Sequence, residues 1–252
     1  MIDTHCHLND AKFDGIESEI VDNYLKSGVD KVICVGYDFL SSEKAKSLSE
    51  EFESVYYEVG IHPDDADTYD ENQFEEMLKN KSEKLVAVGE IGLDYFHNKE
   101  NKELQKEVFI SQIKLANKYK LPIVIHCRDA YGDTLEILKK YAPFEFGAVM
   151  HCYGGSREYA YELIKLGVSM SFGGTVTFNN AKNVQEVVKD LPKETFFFET
   201  DSPYLAPVPF RGKRNEPKFV TCVAEFVANL RNENLNELIK YTDQNATKIF
   251  KF

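Results

Sequence analysis

The sequence predicts an α/β fold, a (β/α)8 or TIM barrel. Eight short apolar runs alternate with amphipathic stretches along 252 residues, which is the order expected of strand and helix repeats. The runs are rich in Val, Ile and Phe, as parallel strands buried on both faces are. Polar side chains that bind metals stand at the ends of five runs. A doubly wound open sheet is the alternative, but it would not usually carry such ligands at five separate strand ends.

The predicted strands and helices follow one another in a regular order. Phe109, Ile113 and Ala116 have the spacing of a buried helix face, and the segment 220–227 repeats it. The segment 235–250 forms the helix that we expect to close the barrel. The predicted strands are, in order, MIDTHCHL, KVICVGY, VYYEVGIHP, LVAVGEIGLDY, LPIVIHCR, GAVMHCY, GVSMSFGG and TFFFETDSP.

Length and composition indicate one soluble domain over residues 1–252. The length alone admits a barrel or two smaller domains, but no linker or low-complexity tract divides the chain. No apolar run approaches the roughly 20 residues that a bilayer span requires. The start MIDTHCHL leaves no room for a signal peptide, and five cysteines are consistent with reduced thiols. We therefore expect a cytoplasmic protein.

The formal net charge of −12 argues against a broad basic surface for duplex DNA. Nonspecific affinity for DNA comes mainly from neutralised phosphates. Any contact with nucleic acid must therefore be local, or assisted by bound cations. The same charge favours a monomer without a scaffold role on nucleic acid.

Histidines at the strand ends predict a metal site. His5 and His7 are two residues apart on one strand, so both imidazoles face the barrel interior while Cys6 faces away. The same alternation turns Cys127 and Cys152 away from the neighbouring His126 and His151. The cysteines are thus expected to pack as small buried hydrophobes between the barrel and its helices.

Three carboxylates complete the expected site. Glu90 ends a buried apolar run, where an unpaired charge is costly, so it is expected to bridge two divalent ions. Glu199 and Asp201 are two apart and face the interior. Asp201 lies nearer the mouth, which favours it as ligand and general base, whereas Glu199 is expected to support the ligands.

This constellation indicates hydrolysis. Two ions roughly 3.5–4 Å apart hold a hydroxide as nucleophile and neutralise charge on a phosphoryl or acyl group. Glu90 and Asp201 are the expected catalytic carboxylates. Imidazoles favour zinc, manganese or iron, while carboxylates also admit magnesium, so the sequence leaves the metal open.

The motifs resemble the TatD family of metal-dependent DNases over essentially the whole chain. The resemblance implies two divalent ions and magnesium-dependent cleavage of DNA, often from a 3′ end. It implies that one ion is held by His5, His7, Glu90 and Asp201, and the other by Glu90, His126 and His151. The motifs are IDTHCHL, GIHP, VGEIGLDY, PIVIHCRDA, HCYGG, ETDSPYLAP and RGKRNEP.

Several side chains are candidates for substrate binding. His62 contacts a scissile phosphate or merely packs, and the acidic segment 64–71 beside it lacks a histidine that family members commonly have. Arg128 pairs with a phosphate or with Asp129. The last candidates, Arg211, Lys213, Arg214 and Asn215, bind a phosphate at the mouth or form an ordinary solvated loop.

Three functions follow in order of preference. The first is hydrolysis of DNA phosphodiesters, with a single-stranded or frayed end entering the concave mouth. The second is hydrolysis of a carboxylic ester or amide, for example in an aminoacyl-tRNA, which does not require the basic segment 211–214 unless the substrate is a nucleotide. The third is a metal-stabilised binding protein without turnover, which the undegraded ligand set disfavours.

Overall fold

Eight parallel strands form one sheet in the order β1 to β8 in the computed structural model, which describes residues 1–252. The segment after β8 returns to β1, where the His7 amide donates to the Ser202 carbonyl at 2.7 Å and the Asp201 amide to the His5 carbonyl at 2.9 Å. The predicted (β/α)8 barrel is confirmed. The strands are β1 Ile2–Cys6, β2 Lys31–Val35, β3 Val55–Val59, β4 Leu85–Asp94, β5 Ile123–Arg128, β6 Ala148–Met150, β7 Val168–Phe172 and β8 Phe196–Phe198.

Helices follow every strand on the outside of the barrel, and two of them follow β8. The helical periodicity at residues 109–116 lies in α4, and that at 220–227 lies in α8. None of the helices combines the length and the apolar composition that a membrane span requires. The helices are α1 Glu17–Lys26, α2 Phe39–Glu51, α3 Glu71–Lys79, α4 Lys102–Tyr119, α5 Tyr131–Tyr141, α6 Arg157–Lys165, α7 Lys182–Asp190, α8 Val220–Arg231 and α9 Leu235–Phe250.

Two apolar layers stabilise the barrel and leave one end of it polar. A cluster of 53 buried residues fills the space between sheet and helices. A smaller cluster of nine closes the amino-terminal end from inside, where the rings of Phe197 and Phe250 lie 5.8 Å apart. Polar and charged side chains therefore occupy the opposite end, at the carboxyl ends of the strands.

The strands β6 and β8 are shorter than the sequence predicts. Only Ala148–Met150 and Phe196–Phe198 pair in the sheet, so His151, Glu199 and Asp201 lie in the loops that follow. The backbone of Asp201 has a φ of 57°, in the left-handed region. Extended-strand alternation therefore does not apply to these residues, and the loop conformation aims their side chains instead.

Candidate metal centre

Glu90 is the centre of a cluster of imidazoles at the mouth of the barrel. Its Oε1 lies 2.7 Å from Nδ1 of His126 and 2.8 Å from Nε2 of His151. Its Oε2 lies 3.5 Å from Nε2 of His5. Because β1, β4, β5 and the loop after β6 supply these four residues, the closed barrel is what brings them together.

Asp201 and His7 extend the cluster on the β1 side. Nε2 of His7 lies 3.2 Å from Oδ1 of Asp201, and Nε2 of His5 lies 4.0 Å from the same oxygen. Two groups with ligand atoms within 4.8 Å of one another share Glu90: one contains His5 and His7, and the other His126 and His151. All six residues expected as ligands thus lie together at the mouth, with Asp201 beside His7 rather than in either group.

Several buried atoms of these residues have no hydrogen-bond partner within the protein. They include both ring nitrogens of His5 and the Nδ1 atoms of His7 and His151. Leaving a buried polar atom unpaired costs about 1–3 kcal/mol, so native proteins rarely do so without a ligand. The imidazole nitrogens and carboxylate oxygens fit a divalent cation, which would satisfy Nε2 of His5, the unpaired atom that faces Glu90.

The cluster also shifts the pKa values of its members. Burial alone would raise the pKa of Glu90, but the charge of His151 and hydrogen bonds from His126 and His151 hold it well below the usual range. Burial opposes protonation of His151, yet Glu90 and Glu199 raise its pKa well above the usual value. The pKa values of His7 and His126 are raised by carboxylates against the same effect of burial. Without a cation, the carboxylates thus favour the protonated form of these imidazoles.

Asp94 is a buried carboxylate that the sequence analysis missed. It lies 3.0 Å from Nε2 of His126 and accepts the backbone N–H groups of Phe96 and His97, each at 2.8 Å. By accepting a hydrogen from Nε2 it leaves Nδ1 of His126 free to bind a cation. Glu90 and Asp94 are four residues apart on β4, so strand alternation could have identified it.

Two further carboxylates lie behind the ligands. Glu199 accepts the Cys152 amide at 2.8 Å and the Ser171 hydroxyl, and lies 3.5 Å from Nδ1 of His151, as expected of a supporting residue. Glu58 on β3 lies 3.4 Å from Nδ1 of His5 and was also missed. Burial, and then the charge of Glu90, raises the pKa of Glu58 well above its usual range. A carboxylate inside an apolar run was the signal used for Glu90, and it applied to Glu58 as well.

His62 contacts the cluster directly. Its Nδ1 accepts the Asp64 amide at 3.2 Å, so Nε2 carries the hydrogen and points toward Oε1 of Glu90 at 3.7 Å. Burial and the neighbouring His126 lower the pKa of His62 to about 3. His62 is therefore a neutral hydrogen-bond donor at the mouth, beside the acidic 3-10 helix Pro63–Thr68.

The cationic candidates differ in how firmly they are held. The guanidinium of Arg128 lies 4.1 Å from the centre of the Phe96 ring and makes no ion pair with Asp129. The guanidinium of Arg211 likewise lies over a ring, 4.3 Å from the centre of Phe178. Arg214 instead donates to the Lys12 carbonyl at 3.2 Å and to Glu216 at 3.3 Å.

Asn215 corrects one expectation. Its side chain is fully buried, and its amide donates to the carbonyls of Thr200 at 2.8 Å and Tyr204 at 2.6 Å. Both hydrogens thus stabilise the loop after β8 and are not available to a substrate phosphate. The expectation failed because Asn215 is buried in an irregular loop, and sequence periodicity does not reveal burial there.

No cysteine belongs to the groups of possible ligands. Cys6 is fully buried, and its thiol donates to the Ile33 carbonyl at 3.4 Å. The thiol of Cys127 lies 3.4 Å from the Thr134 hydroxyl on α5. Burial raises the pKa of both thiols. Neither is a reactive thiolate, in agreement with the expected packing role.

The chain matches known proteins over its whole length. The sequence profile described as "TatD related DNase" matches residues 2–251. The chain belongs to the TatD family. It is 43% identical over 253 residues to YabD of Bacillus subtilis, named an uncharacterized metal-dependent hydrolase, covering 100% of this chain and 99% of the relative. Identity to YcfH of Escherichia coli K12, which has the same description, is 35% over 99% and 95% of the two chains.

A solved structure extends the agreement to the whole fold. The crystal structure of YJJV, a TatD homolog from Escherichia coli K12, superposes with a TM-score of 0.96 at 29% identity. The match covers 100% of this chain and 98% of that one. The family expected from the motifs is therefore confirmed, together with its barrel.

Proposed function

We propose that this member of the TatD family, a metal-dependent hydrolase, cleaves DNA phosphodiester bonds and releases nucleotides from the 3′ ends of single or frayed strands. The observation that carries the proposal is the pair of ligand groups that share Glu90. Two divalent cations, Mg²⁺, Mn²⁺ or Zn²⁺, would stabilise charge on a phosphoryl group and acidify a water molecule there. The family's name as DNases supports a phosphodiester substrate.

Asp201 is the proposed general base. Burial alone would raise its pKa, but the hydrogen bond with His7 and the charges of His5 and His151 lower it below the usual value. The carboxylate is therefore ionised at neutral pH and ready to accept a proton from the attacking water. Its side chain is 15% exposed, so water and substrate reach it from the mouth.

Neutral and cationic donors around the cluster would orient the substrate. The Nε2–H of His62 is placed to donate to an oxygen of the scissile phosphate, beside Glu90. Arg128 and Arg211 hold no carboxylate and can pair with phosphates farther along the strand. Arg214 is already engaged within the protein, so its contribution to phosphate binding is smaller.

The depth of the site favours a single strand. His5 is fully buried and His7 is only 6% exposed, so an intact duplex would not reach them across the surrounding loops. The net charge of −12 also disfavours broad duplex contact. One chain supplies every ligand, which is consistent with a monomer as the active form.

End-labelled oligonucleotides test the proposal. With Mg²⁺, Mn²⁺ or Zn²⁺, we expect a ladder that shortens from the 3′ end of a single strand, and slower degradation of a blunt duplex. A phosphorothioate block at the 3′ terminus should stop the ladder. Rapid hydrolysis of an aminoacyl ester with intact oligonucleotides would instead favour a carboxylic ester substrate. Tight metal-dependent binding without any turnover would favour a binding protein.

A further inference from the structure

Two aromatic rings stand exposed at the mouth of the barrel. Phe96, in the loop after β4, is 51% exposed, and Tyr204, in the loop after β8, is 43% exposed. They are the only aromatic rings among the exposed large hydrophobic side chains.

A cation from a neighbouring segment lies over each ring. The guanidinium of Arg128, at the end of β5, is 4.1 Å from the centre of the Phe96 ring. Nζ of Lys12, after β1, is 4.2 Å from the centre of the Tyr204 ring. Neither cation forms an ion pair, although the chain has 42 acidic and 30 basic residues. Both therefore remain free to pair with an anionic ligand.

The two pairs face each other across the mouth. In a closed barrel of eight strands in sequence order, the β4–β5 position is diametrically opposite the β8–β1 position. The amide of Phe96 donates to Asp94, which holds His126. The amide of Tyr204 donates to the Asp201 carbonyl at 2.9 Å, and its ring lies 6.0 Å from that of His7. Each pair thus flanks one of the two ligand groups.

We propose that these pairs are nucleobase subsites, one on each side of the scissile phosphodiester. A base stacks on Phe96 or Tyr204, and the adjoining Arg128 or Lys12 contacts a flanking phosphate. Stacking on aromatic side chains is tolerant of sequence because every base has a π face. This inference rests on the proposed function and adds a requirement: efficient cleavage needs a base on both sides of the bond.

Abasic substitutions test the subsites. Single-stranded oligonucleotides lacking the base on the 3′ or the 5′ side of the cleaved bond should lose about tenfold in kcat/KM with the wild-type protein, within the range expected for one stacked base. Phe96→Ala should lose a similar factor on the intact oligonucleotide and no longer discriminate against one abasic position. Tyr204→Ala should likewise lose activity and no longer discriminate against the other abasic position. Tyr204→Phe keeps the ring and should still discriminate against it. Leu25→Ala, on the outer helix α1 and 46% exposed, is the matched control.

The outcomes separate this inference from the proposed function. Equal cleavage of intact and abasic strands, with Phe96→Ala and Tyr204→Ala matching Leu25→Ala, would overturn the subsites and leave the nuclease standing. If no oligonucleotide is cleaved, fluorescence anisotropy with labelled intact and abasic strands and Mg²⁺ decides. Binding that depends on the bases and on both rings would support the subsites while the nuclease fails. Binding independent of them, or none, would overturn the subsites as well.

Discussion

Oε1 of Glu58 lies 3.4 Å behind Nδ1 of His5, inside the barrel. Nε2 of the same imidazole points the opposite way, toward Glu90 at 3.5 Å. Both Glu58 oxygens are buried without a hydrogen-bond partner. A carboxylate in this place orients the histidine and increases its basicity when a cation occupies Nε2.

Replacing Glu58 should therefore weaken metal binding. Removing a partner of this kind typically costs about 10–100-fold in metal affinity, so we expect a loss in that range for Glu58→Met. Glu58→Gln retains an oxygen that accepts the Nδ1 hydrogen and should lose less. Titration calorimetry with Mn²⁺ measures both variants, with the exposed Glu51→Gln as control.

The same substitution should leave the metal-free protein at least as stable. Glu58→Met removes two unpaired buried oxygens, so the free energy of unfolding without metal should not fall. Urea unfolding with a chelator present measures this. A large loss of metal-free stability would show that Glu58 has a packing role instead.

Asp94→Asn should impair the opposite side of the site. The amide group would face Nε2 of His126 in place of the acceptor that now lies at 3.0 Å. We expect metal affinity and kcat/KM to fall about 10–100-fold. Asp129→Asn, exposed at the end of β5, is the matched control. Equal activity of the two variants would contradict the role of Asp94.

Metal affinity should increase with pH. The pKa values of His7, His126 and His151 are raised, so these residues retain protons above the ordinary histidine value of about 6.5. A cation binds the neutral imidazole and must release those protons, which makes binding weaker as pH falls. Calorimetry at pH 6 and pH 8, in buffers of different ionisation enthalpy, should show tighter binding and less proton release at pH 8. A metal affinity that does not change with pH would contradict the raised pKa values of these histidines.

Arg211 and Arg214 should respond differently to substitution. Arg211→Ala should increase KM for oligonucleotides and reduce the salt dependence of binding by about one phosphate contact. Arg214→Ala removes contacts with Lys12 and Glu216, so its main effect should be a loss of stability of about 0–1 kcal/mol. Steady-state kinetics and thermal unfolding distinguish the two. An equal increase in KM for both variants would show that Arg214 also binds substrate.

The fold was predictable because each strand is a short apolar run with its own turn signals. The bounds were harder to predict at β6 and β8, where the apolar pattern continues through residues that have already left the sheet. A register shift between Asp3 and Cys6 also interrupts the pairing of β1 with β2. The side chains of Ile2 and His5, three residues apart, both lie inside the barrel. Strict alternation along a strand would place them on opposite faces.

The candidate ligands could be identified from the sequence for a different reason. His5, Glu90 and Asp201 are residue types that seldom end a buried strand without a function. Asp94 and Glu58 carried comparable signals, but the contacts that define their roles join residues on different strands. The engagement of Arg214 and Asn215 depends on loop geometry, and composition contains no information about it.

Purified protein tests the proposal that DNA is cleaved at the Glu90-centred site when a metal is bound, with Asp201 as the general base. The most direct measurement incubates purified wild type and Asp201→Asn with end-labelled single-stranded DNA and Mg²⁺, Mn²⁺ or Zn²⁺, beside chelator controls. We expect metal-dependent release of nucleotides by the wild type and a loss of at least about 100-fold in the variant, the scale of general-base catalysis. Equal degradation by both proteins would contradict it.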